Sequence, residues 1–99
     1  MTIPAVIAHG GAGPGPARQD NLQVAINKAA EILTAGGTAL DAAVQACVIL
    51  ENDPVFNAGT GSVMRTDGSV LTDASIQTGD GKIGFVIAME ETPNPILVA

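Results

Sequence analysis

The chain has 99 residues, with four Lys and Arg against ten Asp and Glu and a single His, a formal net charge of −6. Its length suits one small domain, and a hydrophobic share of 46% excludes intrinsic disorder. The cations Arg18, Lys28, Arg65 and Lys82 are scattered, the aromatics are Phe56 and Phe85 alone, and Cys47 is the lone cysteine, so no nucleic-acid patch, base-stacking platform, internal disulfide or cysteine-built zinc site is available.

The longest near-continuous apolar stretch, Ala42 to Leu50, is far short of the ~20 residues a membrane span needs. No basic residue precedes Arg18, so no secretory leader is expected. These features predict a cytoplasmic protein with neither a nucleic acid nor a membrane as partner.

In chain order, Ile3 to Ala8 is predicted as a strand, apolar on both faces and so covered on both. His9-Gly10-Gly11-Ala12-Gly13-Pro14-Gly15-Pro16 then reads as a loop. Leu22, Ile26, Ala29 and Leu33 recur at helical spacing, which predicts a helix from about Ala17 to Ala35. Gly36-Gly37 ends it. Thr38, with Asp41 three residues on, opens a second helix over Ala39 to Leu50, apolar on nearly every face and so buried nearly all round. Cys47 on it reads as a small buried apolar residue, since no base stands near to activate it.

Glu51 to Ser62 reads as a loop. Ser62–Arg65 and Val70–Ile76 are predicted as a hairpin around Thr66-Asp67-Gly68-Ser69. A turn over Thr78–Gly81 leads to a central strand, Ile83–Met89, in which Gly84 marks a bulge or a close backbone approach. Asn94-Pro95 reads as an N-cap followed by proline at the first helical position. Ile96 to Ala99 then begin a helix of one turn, which is not stable alone. The pattern therefore predicts a truncated domain.

The candidate chemistry is sparse. The first Gly-rich loop lies between a strand and a helix, as nucleotide sites do. However, Pro16 stands where the dinucleotide fingerprint needs its last Gly, and no Gly-Lys-Ser/Thr run exists. His9 would act as a base only with an orienting partner and a nucleophile; the plainer reading is a structural residue. Ser62 and Ser75 are candidate nucleophiles, but Ser62 stands in Gly-Thr-Gly-Ser, not in a nucleophile elbow. Asp67, Asp73 and Asp80 make no metal site by spacing, and Asp73 reads as a hydrogen-bonded structural acid. In the 51–62 loop, Phe56 is an apolar anchor while Gly59 and Gly61 permit tight curvature. Such a loop either merely connects or turns its carbonyls inward to suit a hard cation.

Several of these runs stand together in one order: His9-Gly10-Gly11-Ala12-Gly13, Gly36-Gly37-Thr38-Ala39-Leu40-Asp41-Ala42, Asp53-Pro54-Val55-Phe56-Asn57-Ala58-Gly59-x-Gly61-Ser62-Val63, Asp67-Gly68-Ser69-Val70 with Asp73-Ala74-Ser75-Ile76, and Asn94-Pro95-Ile96. Together they resemble the plant-type L-asparaginases, also called isoaspartyl peptidases. The resemblance implies an α+β fold, the N-terminal part of an αββα sandwich of the Ntn-hydrolase type, incomplete in residues 1–99. It further implies a longer precursor that cleaves itself before a Thr, which becomes the nucleophile. The reaction would be hydrolysis of L-asparagine or β-aspartyl dipeptides through an acyl-enzyme, with no cofactor for catalysis.

By the same resemblance, Asn57 helps shape the active site, and His9, Gly10 and Gly11 form a flexible glycine loop beside it. The carbonyls of Leu50, Glu51, Asp53, Phe56, Ala58 and Thr60 match a loop that holds a structural sodium ion. The implied partners are a small-molecule or dipeptide substrate, the remainder of the precursor and, when complete, further copies in a homo-oligomer. The nucleophilic Thr is not in the chain. Gly37-Thr38 is a helix cap, Gly59-Thr60 is a loop position and Thr78-Gly79 has the wrong order. Leu71-Thr72 and Met89-Glu90-Glu91-Thr92 depart from the family pattern. The chain alone is therefore expected to be inactive. Two other readings are a non-catalytic interaction module that completes the enzyme with a separate chain, and a small nucleotide-binding domain.

Overall fold

Small side chains and paired glycines set the architecture. The computed structural model describes residues 3–12 and 18–99. Helix α1 spans Gln19–Thr34 and helix α2 Ala39–Asn52; strands β1 (Thr72–Gln77) and β2 (Ile83–Met89) form an antiparallel pair, and a one-turn helix α3 covers Pro95–Val98. The described residues thus form an α+β arrangement. The expected start of α1 at Ala17, and positions 13–16 of the first Gly-rich loop, lie outside them.

α1 buries Ala25 and Ala29, and α2, packed against it, buries Ala42. The corner between them is set by backbone chemistry. Gly36, at φ +86°, donates its N–H to the Leu33 carbonyl at 3.1 Å, and Gly37 donates to the Ile32 carbonyl at 2.8 Å. This is the paired closure that a left-handed residue makes possible. The Thr38 hydroxyl then accepts the Asp41 N–H at 3.0 Å and caps α2.

α2 is not buried nearly all round. Between Ala39 and Leu50 only Ala42 is buried, and Leu40 is exposed. The helix packs on α1, α3 and the turn at Gly59–Gly61, and its side toward residues 5–9 lines a cavity shared with them. Its last two residues, Glu51 and Asn52, extend it past the expected end at Leu50.

The turn at 66–69 forms as expected. The Arg65 N–H donates to the Ser69 carbonyl at 2.8 Å, and the Asp67 carboxylate accepts from the Ser69 amide at 2.9 Å and hydroxyl at 2.6 Å. The expected strand Ser62–Arg65 does not form. Its amides turn back instead: Ser62 donates to the Gly59 carbonyl and Val63 to the Asn57 side chain.

β1 pairs with β2 through the turn at Thr78–Gly81, in the register Gln77↔Ile83 to Ala74↔Val86, and then slips to Thr72↔Met89. The slip is a bulge at Ala88, whose φ is +55°, and Asp73 Oδ1 accepts the Ala88 N–H at 2.7 Å. Asp73 is therefore a hydrogen-bonded structural acid. A Cβ at Gly84 would strike the Ala99 carbonyl, so that glycine marks a close backbone approach and the bulge lies further along β2.

β2 is not central. The sheet of the described residues has two strands, and Ile83, Phe85 and Ile87 are 63, 65 and 70% exposed on one face. Ile3–Ala8 is not a paired strand either. Val6 and Ala8 are half-buried, whereas Ile7 is 98% exposed. A strand covered on both faces needs neighbours at its edges and a layer on each side, and the described residues supply helices on one side only. No helix among them is long and apolar enough to cross a membrane.

Candidate active-site loop

The end of α2 creates unpaired carbonyls by composition. The Leu50 carbonyl would normally accept from residue 54, which is proline and has no N–H. The Glu51 carbonyl would take the Val55 N–H, but that amide donates to Asp53 Oδ1 at 3.1 Å. Asp53 Oδ2 accepts from Asn21 on α1 at 2.8 Å, so one carboxylate both starts the loop and ties it to the helix.

Phe56 anchors the middle at 4% exposure. Its ring lies against Gly10: a Cβ there would come within 3.0 Å of Cε1. Beyond it, Gly59 sits at φ +49°, wedged between the Pro93 and Glu51 carbonyls. A Cβ on Gly61 would strike the Phe56 carbonyl. Glycine at both positions is thus a requirement of close backbone approach. Asn57 Oδ1 accepts the Val63 N–H at 2.8 Å and closes the loop on itself.

The fold brings seven of the ten sequence-derived site residues together. His9, Gly10, Gly11 and Asn57 line one cavity of about 440 Å³, with Phe56, Ala58 and Leu50. His9 Nδ1 accepts the Gly11 N–H at 3.0 Å, and Gly11 has φ +94°. The imidazole therefore joins the glycine turn through Nδ1. Neither Ser62 nor Ser75 lines this cavity among the described residues. Arg18 lines it too, although in the sequence it is one of four scattered cations. Its place immediately before α1, on the far side of the Gly-rich loop from His9, was the available signal.

The six carbonyl-bearing residues run from the last turn of α2 to the turn at 59–61. The Asp53 carbonyl accepts from Phe56 at 3.2 Å and the Ala58 carbonyl from Gly61 at 3.0 Å. The Leu50 and Glu51 carbonyls have the helix-end freedom just described. Such neutral oxygens suit a hard cation better than a soft transition metal. No cluster of three or more His, Cys, Asp or Glu side chains able to hold a metal occurs among the described residues. Cys47 is half-buried on α2, and burial, with the Glu51 charge second, pushes its thiol up, away from a reactive thiolate.

A protein-family model described as asparaginase matches residues 2–99. An isoaspartyl peptidase/L-asparaginase from Synechocystis sp. is 45% identical over 97% of the chain and 31% of its own length. The Homo sapiens protein of the same name is 45% identical over 97% of the chain and 33% of its own length. A plant-type L-asparaginase from Pyrococcus abyssi is 40% identical over 96% of the chain and 33% of its length. The chain thus spans about a third of the length of the curated relatives it matches.

Proposed function

We propose, from the premise that this chain belongs to the asparaginase family, that residues 1–99 are the N-terminal segment of a single hydrolase domain. The whole protein would hydrolyse the side-chain amide of L-asparagine or the linkage of β-aspartyl dipeptides. The observation that carries the reading is the family match over residues 2–99. The cavity shared by Gly10, Gly11 and Asn57 supports it, because it joins two separate sequence motifs at one place. The complete fold in this reading is an αββα sandwich of the Ntn-hydrolase type.

The nucleophile in this reading is a Thr outside these 99 residues, made N-terminal when a precursor cleaves itself. Its α-amino group, which titrates near pH 8, takes the hydroxyl proton while the oxygen attacks the amide carbon. Ammonia or an amino acid leaves, and water then releases aspartate from the acyl-enzyme. The residues of this chain supply the walls. Asn57 holds the loop closed beside the reacting atoms, Gly10 and Gly11 leave backbone room, and His9 holds the glycine turn. The carbonyls of Leu50, Glu51, Asp53, Phe56, Ala58 and Thr60 would hold a sodium ion, whose charge would fix the shape of the loop.

Expression of the 99 residues alone, beside the full product of the gene, tests this. The isolated chain should release no ammonia from asparagine; activity there would contradict the division of labour. The full product should hydrolyse asparagine or a β-aspartyl dipeptide, and a folded product silent toward both would overturn the assignment. In that product Asn57→Ala should slow self-cleavage or turnover about tenfold or more. Unchanged rates for both would remove Asn57 from the site. Sodium chloride, compared with choline chloride, should raise the thermal midpoint; equal midpoints would remove the ion.

A further inference from the structure

Glu51 is the one charged side chain among the described residues in the buried class, at 6% exposure. A buried carboxylate is costly unless its oxygens are met by donors. Here both are met from a segment more than forty residues away. Oε1 accepts from Asn94 Nδ2 at 3.2 Å, and Oε2 accepts the buried Ile96 N–H at 3.1 Å. Asn94 Nδ2 also donates to Asn52 Oδ1 at 3.0 Å. Asn94 precedes α3 but makes no side-chain cap there: its Nδ2 donates to the end of α2, and the Ile96 N–H that a cap would take goes to Glu51. The same Glu51 turns its backbone carbonyl onto Gly59, and the Pro93 carbonyl closes on that glycine from the other side.

The gap that Gly59 fills is therefore bounded by Glu51 and by a residue of the segment Glu51 clamps. We propose that Glu51 is a positioning residue for the loop that carries Asn57. Its carboxylate holds residues 93–96 against the end of α2, and this fixed spacing seats Gly59 and keeps the Asn57–Val63 hydrogen bond closed. The effect on the loop stands by itself; its consequence for catalysis rests on the hydrolase reading above.

The test uses the full gene product and two variants. Glu51→Met keeps the volume and removes both acceptors. Glu51→Gln keeps an oxygen for the Ile96 N–H, and its amide NH2 is met by Asn94 Oδ1 once the Asn94 amide and that of the exposed Asn52 both turn over, so that Asn94 Oδ1 accepts from both. Amide hydrogen exchange at Val63 reads the loop, and the β1–β2 amides read global stability. Glu51→Met should speed Val63 exchange about tenfold or more relative to the sheet. Glu51→Gln should stay within about threefold of the parent protein. In the Met variant kcat should fall with KM little changed.

Equal acceleration at Val63 and in the sheet would make Glu51 a general stabiliser and overturn the proposal. Parent-like Val63 exchange in the Met variant, or a Gln variant as loose as the Met one, would overturn it too. If Glu51→Met does not fold, Asn94→Ala, which removes one of the two clamp bonds, is read by the same criteria. If Val63 loosens as expected while the parent hydrolyses neither substrate, the positioning role stands and the hydrolase reading falls.

Discussion

The loop between Asp53 and Ser62 and the outer face of β2 lie on opposite sides of one principle. In the loop, backbone and side-chain polar groups find partners within the chain: Asp53 takes Asn21 and Val55, Asn57 takes Val63, and Glu51 holds Asn94 and Ile96. On β2 the ladder to β1 is made, yet Ile83, Phe85 and Ile87 stay exposed. Each of these polar groups needs one partner at hydrogen-bond distance, and the chain supplies it from nearby (Val55, Val63) or from a segment that returns to the loop (Asn21, Asn94, Ile96). Alternating apolar residues on a strand specify a layer, and a layer needs non-local cover. The difference separates what these residues complete among themselves from what they present outward.

The largest test of that contrast is Gly59→Ala. The new Cβ meets two carbonyl oxygens at a left-handed φ, and the combined strain and overpacking should cost about 4 kcal/mol. Gly79→Ala, where nothing lies within 4 Å of the added carbon, should shift stability by less than about 0.5 kcal/mol. Urea denaturation of both variants decides it. Similar midpoints would mean that the loop is looser than its contacts show.

A second test pits the two phenylalanines against each other. Phe56→Ala removes a buried ring that packs on Gly10 and should cost about 3 kcal/mol. Phe85→Ala removes an exposed one and should cost under about 1 kcal/mol in the same chain. If Phe85→Ala were as costly as Phe56→Ala in a fuller protein but not here, the β2 face would be identified as a covered surface of that protein.

What the sequence disclosed follows the same division. The stripe on α1, the Gly36-Gly37 stop, the Thr38 cap and the Asp-Gly turn were legible because each signal and its partner lie within four residues. α2 ends two residues beyond the expected Leu50, because Glu51 and Asn52, though polar, stay helical and Pro54 is what forbids continuation. The bulge at Ala88 was illegible, since the acceptor that stabilises it is Asp73 on the other strand. Glu51 could not be recognised as a clamp without knowing that residues 94–96 fold back on it. The candidate site came largely from motif order. Its geometric content, Gly10 against Phe56 beside Asn57, needed two segments to meet that composition does not connect.

The smallest effect lies in the exposed turns. Hydrogen bonds from the Ser69 hydroxyl and amide hold the Asp67 carboxyl below the usual carboxylate range, and the Thr78 hydroxyl does the same chiefly for Asp80. Both groups bind a proton less readily folded than unfolded. Their contribution is therefore complete above the ordinary carboxylate value near 3.9 and is lost as pH falls through and below it. Both are fully exposed and solvent screens them, so the loss should show as local opening of the turns and not as unfolding. The Ser69 amide shift, followed from pH 6 to pH 2, should titrate below the same amide in a short peptide spanning residues 65–70, and Asp67→Asn should abolish the step. A midpoint equal to the peptide's would mean that the turn is no better formed in the protein than alone, and the local closure that distinguishes the polar turns from the bare β2 face would not extend to this one.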